Sequence, residues 1–282
     1  MTFENMPWRR NLTLLYAFLL LLFSLQSGAY AQEGTYQLQA AREIPLLATG
    51  AAGVTASVLL RHKREALSLE DIGKLNVSDI LAIDRRTTGN YSEGAVKTSD
   101  ALLGASYAAP LALLAFQDAR HDAGMLGLIL LETVMLNEAL TGITKALVRR
   151  PRPNAYNADA PEAVRTARDN TFSFFSGHTS HSATMAFFTA KALTDYVDRP
   201  GVEAIAWTTA ALLPATTGFF RYKAGKHFPS DVIVGYVVGA TVGVLIPHLH
   251  KTDRAEGGGA TGNVNSVRMP VVQEIFSVTL VF

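Results

Sequence analysis

The sequence predicts an all-α protein, a six-helix bundle followed by a small C-terminal β-hairpin. Three observations point to it: 49% of the 282 residues are hydrophobic, only 17% are charged, and the apolar residues gather into runs too long for strands. Such a composition excludes a disordered chain. The net charge of +1, from 25 basic and 24 acidic residues, supplies no global field for nucleic acid, which is not expected as a partner. Cysteine is absent, so disulfides, zinc-thiolate sites and thiol nucleophiles are excluded together. Any chemistry falls to His, Asp, Glu, Ser, Lys or Arg.

Residues 1–31 read as an export signal. Trp8-Arg9-Arg10 precede an apolar run from Leu12 to Leu25, and Ala29-Tyr30-Ala31 forms a small-residue cleavage site. The general secretory route is expected, with a mature chain starting near Gln32 and an exported, periplasmic or inner-membrane location. Residues 32–100 form an N-terminal helix and short surface helices. The helix corresponds to Ile44–Leu60. Ser68-Leu69-Glu70-Asp71 has the form of a capping box, and Val77 to Ile83 is apolar at helical spacing.

Residues 101–251 form the core. Its charge-free runs are Ala101 to Gln117, Thr171 to Ala190, Ala204 to Phe220 and Val232 to His250, each near the lower limit for crossing a bilayer, and a further run, Ala123 to Leu147, is apolar except for Glu132, Asn137, Glu138 and Lys145. If all six helices crossed, parity would put the functional face in the cytoplasm, which conflicts with an export signal; a membrane-associated bundle with a periplasm-facing site resolves this. Pro151, Pro153 and Pro161 make the segment between Arg149 and Asn170 a long loop. Residues 252–282 comprise a Gly257-Gly258-Gly259 linker and strands, with Phe276, Val278, Leu280 and Phe282 alternating on one face.

Three clusters carry chemistry: Lys145 with Arg152-Pro153, Ser176-Gly177-His178, and Arg221 with His227 and Asp231. In an up-and-down bundle, the end of helix three, the start of four, the end of five and the start of six share one face. Lys145, Arg152 and Arg221 would bind an oxyanion, two of them through forked guanidiniums. Ser176 and Gly177 precede a helix whose free N–H groups favour an anion, so phosphate is held without a metal. His227 is the candidate nucleophile, Asp231 its orienter, and His178 the acid that protonates the leaving oxygen and then activates water. Taken singly, each has a plainer reading: cations at helix C-termini, an N-cap at Ser176, a first-turn acid at Asp231. Their joint order favours the functional one.

The set K-x6-R-P, S-G-H and R-x5-H-x3-D resembles the type 2 phosphatidic acid phosphatase and vanadium haloperoxidase superfamily, over about residues 100 to 250. Phe175 stands where that pattern has proline, and Phe220 where it has serine. Neither position transfers a proton, so the departures bear on substrate preference more than on activity. The resemblance implies a helical core, a phosphohistidine mechanism without cofactor, and a phosphomonoester or diphosphate substrate, with a lipid phosphate suggested by the apolar surroundings. Two alternatives stay open: a vanadate-dependent haloperoxidase using the same pocket, and a non-catalytic phospholipid-binding envelope protein. His181, His248 and His250 are read as structural, no partner at ligand spacing being apparent. Glu132 and Glu138 are either buried functional acids or faces of a polar groove.

Overall fold

The computed structural model describes residues 34–62 and 65–252. The expected export signal and C-terminal strands lie outside the described residues. Six long helices form the body: α1 (Ala40–His62), α2 (Glu93–Ala108), α3 (Ala123–Val148), α4 (Gly177–Tyr196), α5 (Pro200–Lys223) and α6 (Pro229–His250). Among the described residues there is no sheet, only an isolated antiparallel bridge between Tyr36 and Lys251.

Two helices are displaced from the apolar runs that predict them, because capping outweighs hydrophobicity at their ends. Helix α2 starts eight residues before Ala101, where the Ser92 side chain accepts from Ala95 N at 3.2 Å. It passes at Ala109 into a 3-10 turn containing Pro110, whose missing N–H cannot continue the α-helix. Helix α4 starts at Gly177 rather than Thr171, with Ser176 as N-cap. The preceding residues 172–176 are mostly buried non-helical chain. The Ser68–Asp71 capping box is present on a single turn, Leu69–Gly73, while Val77 to Ile83 yields only the 3-10 turn Val77–Asp79. The long loop after α3 holds three short helical turns, starting at Pro153, Glu162 and Arg168.

Helix α4 is the central element, packed against α6, α5, α2 and α3. Its small polar residues bond to its neighbours: Ser180 donates to Asn137 of α3 at 2.6 Å, and Ser182 lies 2.6 Å from Ser106 of α2 and 3.2 Å from Thr217 of α5. Against α6 the contact is backbone to backbone. A Cβ on Gly235, Gly239 or Gly243 would sit 2.6, 2.1 or 2.6 Å from the carbonyl oxygens of Ser176, Ser180 and Thr184. Only glycine fits there, and the close approach gains dispersion where lipid offers no hydrophobic drive between helices.

The outward faces are apolar. Ile44 and Leu59 of α1, Ile205 and Leu212 of α5, and Ile233 and Val237 of α6 are all more than half exposed, the reverse of a water-soluble bundle. Helices α1 and α6, and the segment Ala123–Tyr156 containing α3, are long and apolar enough to cross a membrane.

Candidate active site

The two ends of the long loop are shaped by local rules. Lys145 lies in the last turn of α3, buried, and its Nζ donates to the Phe172 carbonyl at 2.8 Å. Arg149 then takes a left-handed conformation, φ 59° and ψ 34°, which ends the helix. Pro153 keeps the preceding Arg152 extended, at φ −78° and ψ 157°, and carries it back under α3. Arg152 is 5% exposed; its Nη2 lies 2.8 Å from Asp169 Oδ2.

At the start of α4, Ser176 accepts from Thr179 N at 3.4 Å, and its own N–H donates to the Asp231 carbonyl at 3.0 Å. Gly177 lies beside Lys145: a Cβ there would meet Lys145 Cε at 3.6 Å, an ordinary contact. His178, one residue further, places Nε2 2.8 Å from Asp100 Oδ1.

Arg221, in the last turn of α5, is 4% exposed and donates to Ser99 Oγ at 3.2 Å, with Asp100 Oδ1 at 3.5 Å. The return from α5 to α6 requires glycine. Gly225 has φ 66°, and a Cβ on it would strike the Asn90 carbonyl at 2.0 Å. This turn brings Lys226 N to the Arg221 carbonyl at 3.1 Å and delivers His227 into the interior, 1% exposed.

The ring of His227 has a defined tautomer. Its Nδ1 lies 2.8 Å from the Ser173 carbonyl, which can only accept, so Nδ1 carries the proton and Nε2 the lone pair. Here the arrangement departs from the expectation for Asp231. Its Oδ2 is 3.7 Å from Nδ1 and accepts instead from Ser173 Oγ at 2.5 Å and Phe228 N at 2.9 Å. Its Oδ1 accepts from Arg150 Nη1 at 2.6 Å. Ser173 lies between the two: its hydroxyl donates to the Asp231 carboxylate while its carbonyl accepts from the His227 Nδ1–H.

The eight expected site residues thus converge at one end of the bundle. Burial first, then the charges of Lys145, Arg152 and Arg221, hold His227 far below the usual histidine range. Burial also lowers His178, to about 4, against the upward pull of Asp100. Arg221 is lowered to about 10 by burial and by Arg152. Arg152 Nε and Nη1 and Arg221 Nε are buried with no hydrogen-bond partner among the described residues. Buried donors of this kind each cost about 1–3 kcal/mol unless an acceptor meets them, and an oxyanion is the acceptor that two neighbouring guanidiniums favour.

Several residues enter the site that the sequence motifs did not single out. Asp100 binds His178; Asp169 pairs with Arg152. Lys226 feels Arg152, Asp169 and Arg221, and burial with Arg152 lowers its proton affinity. Arg150 bridges two fully buried carboxylates, Asp231 and Asp84, the latter at 2.7 Å, and stacks 4.1 Å over the Phe228 ring. Neither Asp84 nor Asp100 lies within a motif. In Arg149-Arg150-Pro151-Arg152 only the spacing from Lys145 distinguishes one arginine from another.

Comparison with known proteins finds similarity to phosphatases. The chain is 26% identical over 140 residues to a lipid A 4'-phosphatase of Porphyromonas gingivalis, a match covering 49% of this chain and 56% of that relative. The chain therefore spans little more than half the length of this relative. A solved structure, a transmembrane PAP2-type phosphatidylglycerolphosphate phosphatase from Bacillus subtilis, is similar over 84% of this chain and 94% of that one, with 18% identity and a TM-score of 0.42. The model of the PAP2 superfamily matches residues 126–255, a span containing all eight expected site residues. Over that span, the chain is similar to the PAP2 superfamily.

Proposed function

We propose that the protein is an exported, membrane-bound phosphatase that removes phosphate from a phosphomonoester or diphosphate of a lipid through a phosphohistidine intermediate. The observation that carries this reading is the set of buried guanidinium nitrogens of Arg152 and Arg221 with no partner among the described residues, beside a histidine whose Nε2 lone pair is fixed by the Nδ1 contact to the Ser173 carbonyl. Three phosphoryl oxygens satisfy those donors together with Lys145 and the N–H of Gly177 at the start of α4.

In the first step Nε2 of His227 attacks phosphorus, forming the N–P bond as the P–O bond to the leaving group breaks. His178, protonated, gives its proton to the departing oxygen. Asp231, through Ser173, stabilises the positive charge that grows on the ring. In the second step the now neutral His178 takes a proton from water. The hydroxide so formed attacks phosphorus, the N–P bond breaks, and His227 returns to its neutral tautomer. Charge spread over the equatorial oxygens is met by Lys145, Arg152 and Arg221.

Membrane-capable helices with apolar outer faces support a lipid substrate, and the lipid A 4'-phosphatase relative makes a lipid A phosphate the first to try. The signal-like N-terminus supports export and a periplasm-facing site. The test is phosphate release by the purified full chain from phosphatidate, an isoprenyl diphosphate, lipid A and a soluble aryl phosphate, with and without orthovanadate. Vanadate-sensitive release is expected. No release from any of them, with halide oxidation in vanadate and peroxide, overturns the reading.

A further inference from the structure

At the other end of α6 from His227 and Asp231, three buried side chains from three helices meet. They are Glu43 in the first turn of α1, Glu132 of α3 and His250 in the last turn of α6. One ligand atom from each lies within 4.8 Å of the others. His250 Nε2 is 3.0 Å from Glu132 Oε2 and 3.4 Å from Glu43 Oε2. We infer that Glu43, Glu132 and His250 form a Zn²⁺ site that ties α1, α3 and α6 together, separate from the phosphatase site and independent of that reading.

Ion pairing alone leaves the cluster unexplained. Glu132 and His250 are fully buried, yet Glu132 Oε1 and Oε2 and His250 Nε2 have no hydrogen-bond partner among the described residues. The imidazole nitrogen is close to both carboxylates but aligned with neither as a hydrogen bond. A carboxylate this deep among apolar helices, with no hydrogen bond to it among the described residues, is strongly penalised, and a cation placed between the three atoms removes the penalty. Arg42 does not serve: its guanidinium engages Glu43 at 3.0 and 3.1 Å and the carbonyls of Leu249 and Gln37, not Glu132.

The dimensions and the donors fit the ion. Tetrahedral Zn²⁺ with bonds of about 2.0–2.2 Å has ligand-to-ligand edges of about 3.3–3.6 Å, near the 3.0 and 3.4 Å from His250 Nε2 to the two carboxylates. The outer contacts match a metal site too. His250 Nδ1 donates to the Ile246 carbonyl at 2.7 Å, so that a neutral ring turns its Nε2 lone pair to the carboxylates, as a metal ligand requires. Glu43 Oε1 accepts from Gln39 N at 2.6 Å, which orients that carboxylate. One imidazole with two carboxylates suits Zn²⁺ better than Ca²⁺ or Mg²⁺, which take six or more oxygens.

The test is the zinc content of the full chain purified in detergent without chelator and without a histidine tag, followed by stripping and titration with ZnCl₂. One equivalent per chain is expected, with an upward shift in melting temperature when Zn²⁺ is restored. The content should fall by more than about tenfold in Glu132→Gln and His250→Gln. It should be unchanged in His248→Ala, which removes a neighbouring histidine outside the cluster. Should the variants fail to fold, the zinc K-edge absorption of the wild-type protein decides, through a first shell of oxygen with one imidazole. Absence of zinc with no thermal shift overturns the site and leaves a dry ion-pair cluster; zinc retained undiminished in the folded variants, or a shell without imidazole, places the ion elsewhere and overturns it equally. Phosphate release plays no part in these readouts, so their failure and that of the phosphatase reading are distinguishable.

Discussion

His178 and Arg221 share one oxygen: Asp100 Oδ1 lies 2.8 Å from His178 Nε2 and 3.5 Å from Arg221 Nη1. The carboxylate raises the proton affinity of a histidine that burial pushes down to about 4. Asp100→Asn removes that support without removing the acid. The alkaline limb of kcat/KM should move to lower pH by about 1–2 units, and activity at pH 7 should fall accordingly. A pH profile of the variant identical to the wild type would show that Asp100 does not tune His178.

The wild-type pH dependence follows from the same two histidines. The nucleophile must be neutral, and His227 is held well below the ordinary range, so it stays unprotonated into the acid region. The acid must be protonated, and with His178 lowered to about 4, kcat/KM should decline as pH rises between 5 and 8. A bound phosphoryl group carries negative charge and raises His178, so the limb of kcat lies at higher pH than that of kcat/KM. Initial rates corrected for substrate ionisation measure both. Coincident limbs, or flat profiles, contradict the two-histidine scheme.

His227→Ala should abolish turnover and acid-labile phosphoprotein. His178→Ala should lose about 10²–10⁴-fold on an alkyl phosphate, but far less in the first step on an aryl phosphate, whose leaving oxygen needs no proton. With that substrate the phosphohistidine should accumulate, visible as a burst of phenolate. Steady release without a burst would argue that another group activates the water.

Arg150 is a structural prediction rather than a catalytic one. It is the charged partner of Asp84 and Asp231, both fully buried. Arg150→Ala leaves two desolvated carboxylates facing one another and should destabilise the fold by about 3–5 kcal/mol. Chemical denaturation in detergent measures it. A loss under about 1 kcal/mol would mean that water reaches the pair.

The glycines of α6 separate stability from activity. Gly239→Ala places a Cβ 2.1 Å from the Ser180 carbonyl, midway along α4. It should lower the melting temperature most, since overpacking of this kind costs about 1–3 kcal/mol. Gly235→Ala presses on the Ser176 carbonyl, in the turn whose N–H meets the Asp231 carbonyl. It should reduce kcat more than stability. Equal effects on both measures at both positions would refute the distinction.

The six helices were legible because their apolar runs are long and bounded by proline, glycine or charge, and α3 and α6 stand within a few residues of their expected limits. The start of α2 was not, because Ser92 settles it by side-chain capping that hydrophobicity does not record; for α4 the apolar run begins too early, at Thr171, and the reading of Ser176 as an N-cap gives the true start. The eight expected residues were legible as an ordered set on helix ends, and the fold brings them to one end of the bundle. Asp100, Asp84 and Ser173 were not: each acquires its role from a partner 54 to 78 residues away, and no spacing along the chain announces such a pair. The Glu43–Glu132–His250 cluster escaped for the same reason, its members being spread over nearly the whole described chain.

The glycine seam between α4 and α6 also sets what kinds of change the chain tolerates. Inserting a single residue in α6 ahead of Gly235 turns everything upstream by about 100°, swinging Asp231 off the Ser176 turn while the seam stays seated. Inserting four restores the facing direction but displaces Asp231 along the axis by about 6 Å. Neither keeps both seam and site, so lineages of this protein should vary in length in the loops and hardly at all between His227 and Gly243. Counting gaps across related sequences in that seventeen-residue interval tests this directly.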